Sequence, residues 1–191
     1  MCLENDNQDA VLIVEARDAL IINQNDSPLN GENRFLRRLV RQYKKTFLLS
    51  LCSIDADMFN FVDLDGNSLV GHPVEMKGGA IQAVSDLCSY LGVKYFCCFS
   101  SQHVYVRADS RWANSYRITF ADMKKHWNSS AQLLEPFVTV DLSDCSVTRN
   151  HPSQQTDMSR VSDSTADDDW NETMSETDWK QVEEFVRRFK S

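Results

Sequence analysis

Near Asp141 the chain changes character, and that change limits what it can fold into. Ahead of it, apolar residues recur at the spacings of strands and helices. Behind it, 141–178 is rich in Ser, Thr and Asp, too poor in apolar residues to offset the entropy of ordering. The chain then closes on Trp179, Val182, Phe185, Val186 and Phe189, an apolar set at the end of a solvated tether. Only the first part can build a core. About 130 residues suffice to do so without disulfides. The expected division is a flexible N-terminus over 1–9, an α+β domain over 10–141, an acidic disordered linker over 142–176 and an amphipathic docking segment over 177–191.

Charge follows the same boundary. Of a net charge of −8, residues 141–179 carry ten acids against Arg149 and Arg160, while 1–140 is close to balanced with sixteen acids and fourteen bases. An acidic tail argues against wholesale nucleic-acid binding, which is driven by Lys and Arg contacts to phosphate. The six cysteines have no C-x-x-C pair, and most lie in apolar runs where Cys behaves as a small hydrophobe. The N-terminus has neither a basic nor an apolar leader region, and no apolar run reaches the length of a membrane span. The expected location is cytoplasm or nucleus, with reduced thiols.

Residues 11–22 are β-branched and read as a strand, or as two with a kink at Arg17-Asp18. A first helix is expected over 33–45, with Phe35, Leu36, Leu39, Val40 and Tyr43 on one face. Its other face carries Arg34, Arg37, Arg38, Arg41, Lys44 and Lys45. Strands are expected over 46–53, 58–64, 93–99, 102–107, 116–120 and 137–140. A second helix is expected over 77–91, stopped by Gly92 in a left-handed cap, and a short third one over 122–128. Strands dominate and helices are available to cover one face. The expected fold is therefore a single two-layer α+β domain with a mostly antiparallel sheet. This element order is similar to that of roadblock, longin and profilin-like modules, many of which serve as binding platforms; the resemblance is one of order alone.

Catalytic signatures are weak. Asp55, Asp57, Asn60, Asp63 and Asp65-Gly66 have oxygen ligands, but the glycine falls at the wrong position for a calcium loop; acids ending a strand at a hairpin account for them. Gly78-Gly79 ahead of a helix lacks a phosphate-loop pattern. Cys97, Cys98, Ser100 and Ser101 near His103 lack a nucleophile context, and His72, His103, His126 and His151 lack metal-ligand spacing. No catalytic residue, metal or cofactor is expected. The basic helix face is either a solvated surface or a site for RNA, an acidic partner or the tail itself. Trp112, Tyr105 and Tyr116 are aromatic residues that would serve base stacking if the fold brings them to that face.

The C-terminus carries the sharpest signal. Ser175-Glu176-Thr177-Asp178-Trp179-Lys180-Gln181-Val182 places acids ahead of an aromatic, two spacers and an aliphatic. These eight residues resemble the motif by which autophagy adaptors dock on ubiquitin-like Atg8 proteins. That resemblance implies an Atg8-like partner, Trp179 and Val182 as pocket anchors, and Glu176 and Asp178 as flanking acids. The same residues, with Phe185, Val186 and Phe189, also form a helical stripe capped by Thr177 or Asp178. Ser164, Thr165, Thr173 and Ser175 each have an acid three residues on, the context of acidophilic kinases. Asp167-Asp168-Asp169-Trp170 with Met174 and Trp179 resembles an acidic–hydrophobic activation segment. The leading expectation is a non-enzymatic adaptor or regulatory protein binding protein partners through the domain and the Trp-centred segment. The alternative is a nucleic-acid-associated regulator using the basic helix, with the acidic tail as competitor.

Overall fold

The structure is a computed structural model of the full chain, and it describes residues 2–4, 10–25, 27, 33–54, 56–61, 63, 67–99, 103–105, 110–150 and 173–188. Three strands open it: β1 (Cys2–Glu4), β2 (Ala10–Ala16) and β3 (Ala19–Asn25). The β2–β3 hairpin turns at Arg17-Asp18, where Arg17 takes a left-handed φ of 56°. Then come α1 (Asn33–Val40), β4 (Lys45–Ser50), α2 (Pro73–Leu91), β5 (Tyr95–Cys98), α3 (Phe120–His126) and β6 (Gln132–Leu134).

The sheet runs in chain order, β1-β2-β3-β4-β5-β6. This corrects the expected topology. The β1–β2 and β2–β3 pairs are antiparallel, but β3–β4, β4–β5 and β5–β6 are parallel, so the sheet is mixed and mostly parallel. The cause lies in the connections. A helix follows β3, β4 and β5 in turn, and a crossover returns the chain in the same direction. Right-handed crossovers in unbroken order place α1, α2 and α3 on one face.

Alternation along the strands divides the apolar residues between two layers. Leu20, Ile22, Leu48 and Phe96 point toward the helices and pack with Leu36, Val40, Ile81, Cys88, Leu91 and Met123. Ala19, Phe47 and Leu134 point the other way. A second, antiparallel hairpin, β7 (Val138–Val140) with β8 (Val147–Arg149), places Val138, Val140, Leu142 and Cys145 against that back layer. The hairpin carries paired backbone to Arg149, beyond the compositional boundary at Asp141. Lys45 fastens its turn by donating to the carbonyls of Leu142 and Ser143, both at 2.8 Å, and by pairing with Asp18 at 3.0 Å.

Two further strand expectations fail. Ala56–Asn60 and Arg111–Tyr116 are 3-10 turns, and α3 starts at Phe120. The i, i+2 spacing of Phe59 and Phe61 does not mark a sheet face. Phe59 packs edge-on against Tyr105 and Trp112 in a small satellite cluster, and Phe61 is exposed. α2 begins earlier than expected. His72 Nδ1 accepts the Val74 N–H at 3.4 Å and Pro73 takes the first turn, so Gly78-Gly79 lie inside the helix. Its end is as expected, with Gly92 left-handed at φ 79°.

α4 (Glu176–Arg188) stands after the acidic stretch. Among the described residues no helix is long and apolar enough to cross a membrane.

Candidate functional site

α4 is built by a reciprocal cap. The Ser175 N–H and hydroxyl donate to Asp178 Oδ2 at 2.8 and 2.6 Å, and the Asp178 N–H donates back to Ser175 Oγ at 3.2 Å. This satisfies free donors of the first turn, and Glu176 and Asp178 place negative charge at the positive end of the helix. The Ser175 hydroxyl, with its backbone N–H, holds the Asp178 carboxyl below the usual carboxylate range. Ser175, not Thr177 or Asp178, is therefore the cap. One candidate phosphorylation site and one candidate motif acid are thus joined in the helix start.

At 3.6 residues per turn, Trp179, Val182, Phe185 and Val186 fall within ~120° of the α4 surface. They are 56%, 40%, 62% and 43% exposed, so much of the stripe's apolar surface faces outward. Arg187 and Glu183 pair across one turn of the polar side at 3.8 Å. Phe189, Ser164 and Thr165 lie outside the described residues; Thr173 is exposed just ahead of the cap. A strand-like docked form of Trp179 and Val182 would require this helix to unwind.

The expected basic helix face is divided by the fold. α1 stops at Val40, where the N–H groups of Gln42 and Tyr43 turn back onto the carbonyls of Leu39 and Val40. Arg34, Arg37 and Arg38 remain on the helix and are exposed; Arg41 and Lys44 are exposed in the turn. Lys45 is the first residue of β4 and is engaged by the hairpin, so it leaves the set.

Two of these arginines meet a residue that helical spacing does not reveal. Arg37, Arg41 and Lys94 line a cleft of about 350 Å³ between the end of α1 and the end of α2, with Val40, Tyr43, Ser89, Tyr90, Leu91 and Gly92. The Arg37 guanidinium lies 4.8 Å over the Tyr90 ring. The Lys94 backbone is clamped, its N–H donating to Thr46 O and Oγ1 at 3.1 and 2.9 Å and its carbonyl accepting the Gln132 N–H at 2.8 Å. Only the parallel β4–β5 pairing brings Lys94 beside α1, so no local pattern could have found it.

The remaining constellations disperse. The expected stacking residues are elsewhere: Tyr105 and Trp112 pack with Phe59, and the Tyr116 hydroxyl donates to Gly71 O at 3.0 Å, just ahead of α2. His103 stands edge-on to Tyr105 and His72 caps α2. Asp63 accepts from the Asn67 backbone and side chain at 2.8 and 2.9 Å, which is turn chemistry. Among the described residues no group of three His, Cys, Asp or Glu is arranged to hold a metal ion. Burial pushes the Cys52 and Cys88 thiols up to about 12, which keeps both protonated and poor as nucleophiles.

Compared with known proteins, the chain matches no family model, no curated protein and no solved structure.

Proposed function

We propose that this chain is a non-enzymatic adaptor or regulatory protein whose C-terminal helix docks in the apolar groove of a protein partner, while the α+β domain serves a second interaction. One observation carries the reading: α4 is amphipathic and capped, yet its apolar stripe is exposed from Trp179 to Val186. A 13-residue helix is marginal in water, and such a helix gains most of its stability from what covers its apolar face. The recognition mode that suits it is helix-in-groove, read by anchors at Trp179, Val182, Phe185 and Val186. An Atg8-like partner reached by strand addition is the competing mode, in which Val182 matters and Phe185 does not.

The test is affinity capture with the full chain and single variants of α4. Trp179→Ala is expected to cost more binding than any other change there, by about 2 kcal/mol or more, as large aromatic anchors do. Val182→Ala, Phe185→Ala and Val186→Ala are each expected to weaken capture comparably. If only Trp179 and Val182 matter, the extended mode holds. If Trp179→Ala lowers the melting temperature of the domain and no partner is lost, α4 packs on its own domain and the adaptor reading fails.

A further inference from the structure

We propose that the cleft lined by Arg37, Arg41 and Lys94 is a binding site for a phosphomonoester, and that its occupant is the chain's own acidic stretch phosphorylated at Ser164 or Thr165. The inference stands apart from the role of α4.

Three basic residues line it from three stretches of chain: α1, the turn after it, and the lead into β5. Among the described residues none of the three is paired with a carboxylate. Elsewhere basic side chains do find acids, as in Lys45–Asp18, Lys77–Asp122, Lys124–Glu135 and Arg149–Glu135. Nor do Arg37, Arg41 and Lys94 act as helix caps. The Cys88 carbonyl at the end of α2 is taken by the Gly92 N–H, and no helix carbonyl among the described residues accepts from these side chains. Two of the hydroxyls in the lining are committed, Ser89 to the Ser85 carbonyl and Tyr43 to Glu15. The cleft thus offers charge. Two guanidinium forks and an ammonium suit a dianion with three acceptor oxygens better than a single carboxylate. Stacking on Tyr90 pre-positions Arg37.

The occupant follows from charge and reach. Residues 141–179 carry the whole net charge of −8, opposite in sign to the cleft. Ser164 and Thr165 precede Asp167 and Asp168 by three residues, and phosphorylation there would add about −2 each. From Asn150 to Ser164 the chain spans up to ~46 Å extended, about three times the ~14 Å radius of gyration of a 140-residue domain. Tethering raises the effective concentration to the order of millimolar, so a weak site suffices. RNA fits less well. Tyr116 is tied to Gly71 ahead of α2 while the cleft takes Ser89–Gly92, a separation of ~27 Å along the helix. Of the two aromatics in the lining, Tyr90 already has a face covered by Arg37 and Tyr43 is held through its hydroxyl by Glu15.

The experiment uses the full-length chain, phosphorylated by an acidophilic kinase and checked by mass spectrometry for phosphate at Ser164 and Thr165. Amide shifts of Arg37, Arg41, Tyr90, Gly92 and Lys94 are followed with the phosphorus resonance through a pH titration. The expected result is a shift confined to the cleft, independent of protein concentration, with the second phosphate pKa lowered from its usual value near 6. Arg37→Gln/Arg41→Gln is expected to abolish both effects, and Ser164→Ala/Thr165→Ala to prevent them. If the double arginine variant does not fold, Lys94→Gln serves instead. Trp179→Ala is expected to leave the cleft shifts intact, which separates this proposal from the docking of α4. The proposal is overturned if phosphorylation leaves the cleft amides unmoved. It is also overturned if millimolar inorganic phosphate or an oligouridine RNA shifts the unphosphorylated chain equally, since the cleft would then be a general anion or RNA site.

Discussion

The Asp178 carboxylate and the Ser175 hydroxyl hold one another at 2.6 Å across the first turn of the helix they start. Every apolar residue of α4 depends on that start for its direction. An acid placed ahead of Trp179 therefore reads as part of the helix framework before it reads as a contact for a partner's basic residue.

Ser175→Ala is expected to fray α4. Loss of a serine cap costs about 1 kcal/mol in helix stability, and carbon chemical shifts over 176–183 in the full chain should move toward coil values. The pH dependence has a defined sign. The Asp178 pKa is lowered in the helix by Ser175, so the cap is fully present above the ordinary aspartate range and is lost as pH falls through the lowered value. Unchanged shifts in Ser175→Ala would refute the cap.

Gln181→Pro removes a helical N–H and clashes with the preceding turn, costing about 3 kcal/mol or more in the interior of α4. Partner capture is expected to vanish with the domain's melting temperature unaltered. A retained partner would mean that the bound form is extended.

Lys45→Met is expected to loosen the β7–β8 hairpin. The Lys45 side chain is only 19% exposed and its ammonium bonds two carbonyls nearly a hundred residues away, so its loss should cost about 2 kcal/mol. Amide exchange at 138–149 should accelerate ahead of the rest of the domain. Uniform acceleration of the whole sheet would show that the hairpin does not open by itself.

Alkaline destabilisation is expected from Cys52 and Cys88. Their folded pKa is raised from 9.0 to about 12 by burial, so their contribution is complete below the unfolded thiol range and declines as pH rises toward 12. At pH 9, alkylation of the native protein should spare both. Substituting alanine at both should flatten the fall of melting temperature between pH 9 and 11. Rapid native alkylation of Cys88 would contradict its burial.

Much of the fold was legible wherever the signal is local. The kink at Arg17-Asp18, the stop at Gly92 and the apolar run that becomes β5 all appear in the structure. The parallel pairings were not legible, because strands covered on both faces read as unbroken apolar runs, which carry no direction. Two available signals were missed: Pro73 at the first turn of α2, and the Ser175-x-x-Asp178 spacing that caps α4. Arg37 and Arg41 could be named from helical periodicity. Their companion Lys94 could not, because it arrives through the β4–β5 pairing some fifty residues later.

Because the sheet runs in strict chain order, each strand is laid beside the one synthesised before it. Every strand after the first finds its partner already made, and the growing edge advances with the emerging polypeptide. The parallel crossovers are long, with 44 residues between Ser50 and Tyr95, so each of these steps waits for its helix to emerge before the next strand can pair. Stalled nascent chains released at successive lengths are expected to gain protease resistance stepwise, first past β4 and again past β5. Resistance appearing only once Leu134 has emerged would show that the closing edge strand is needed for any of the sheet to persist.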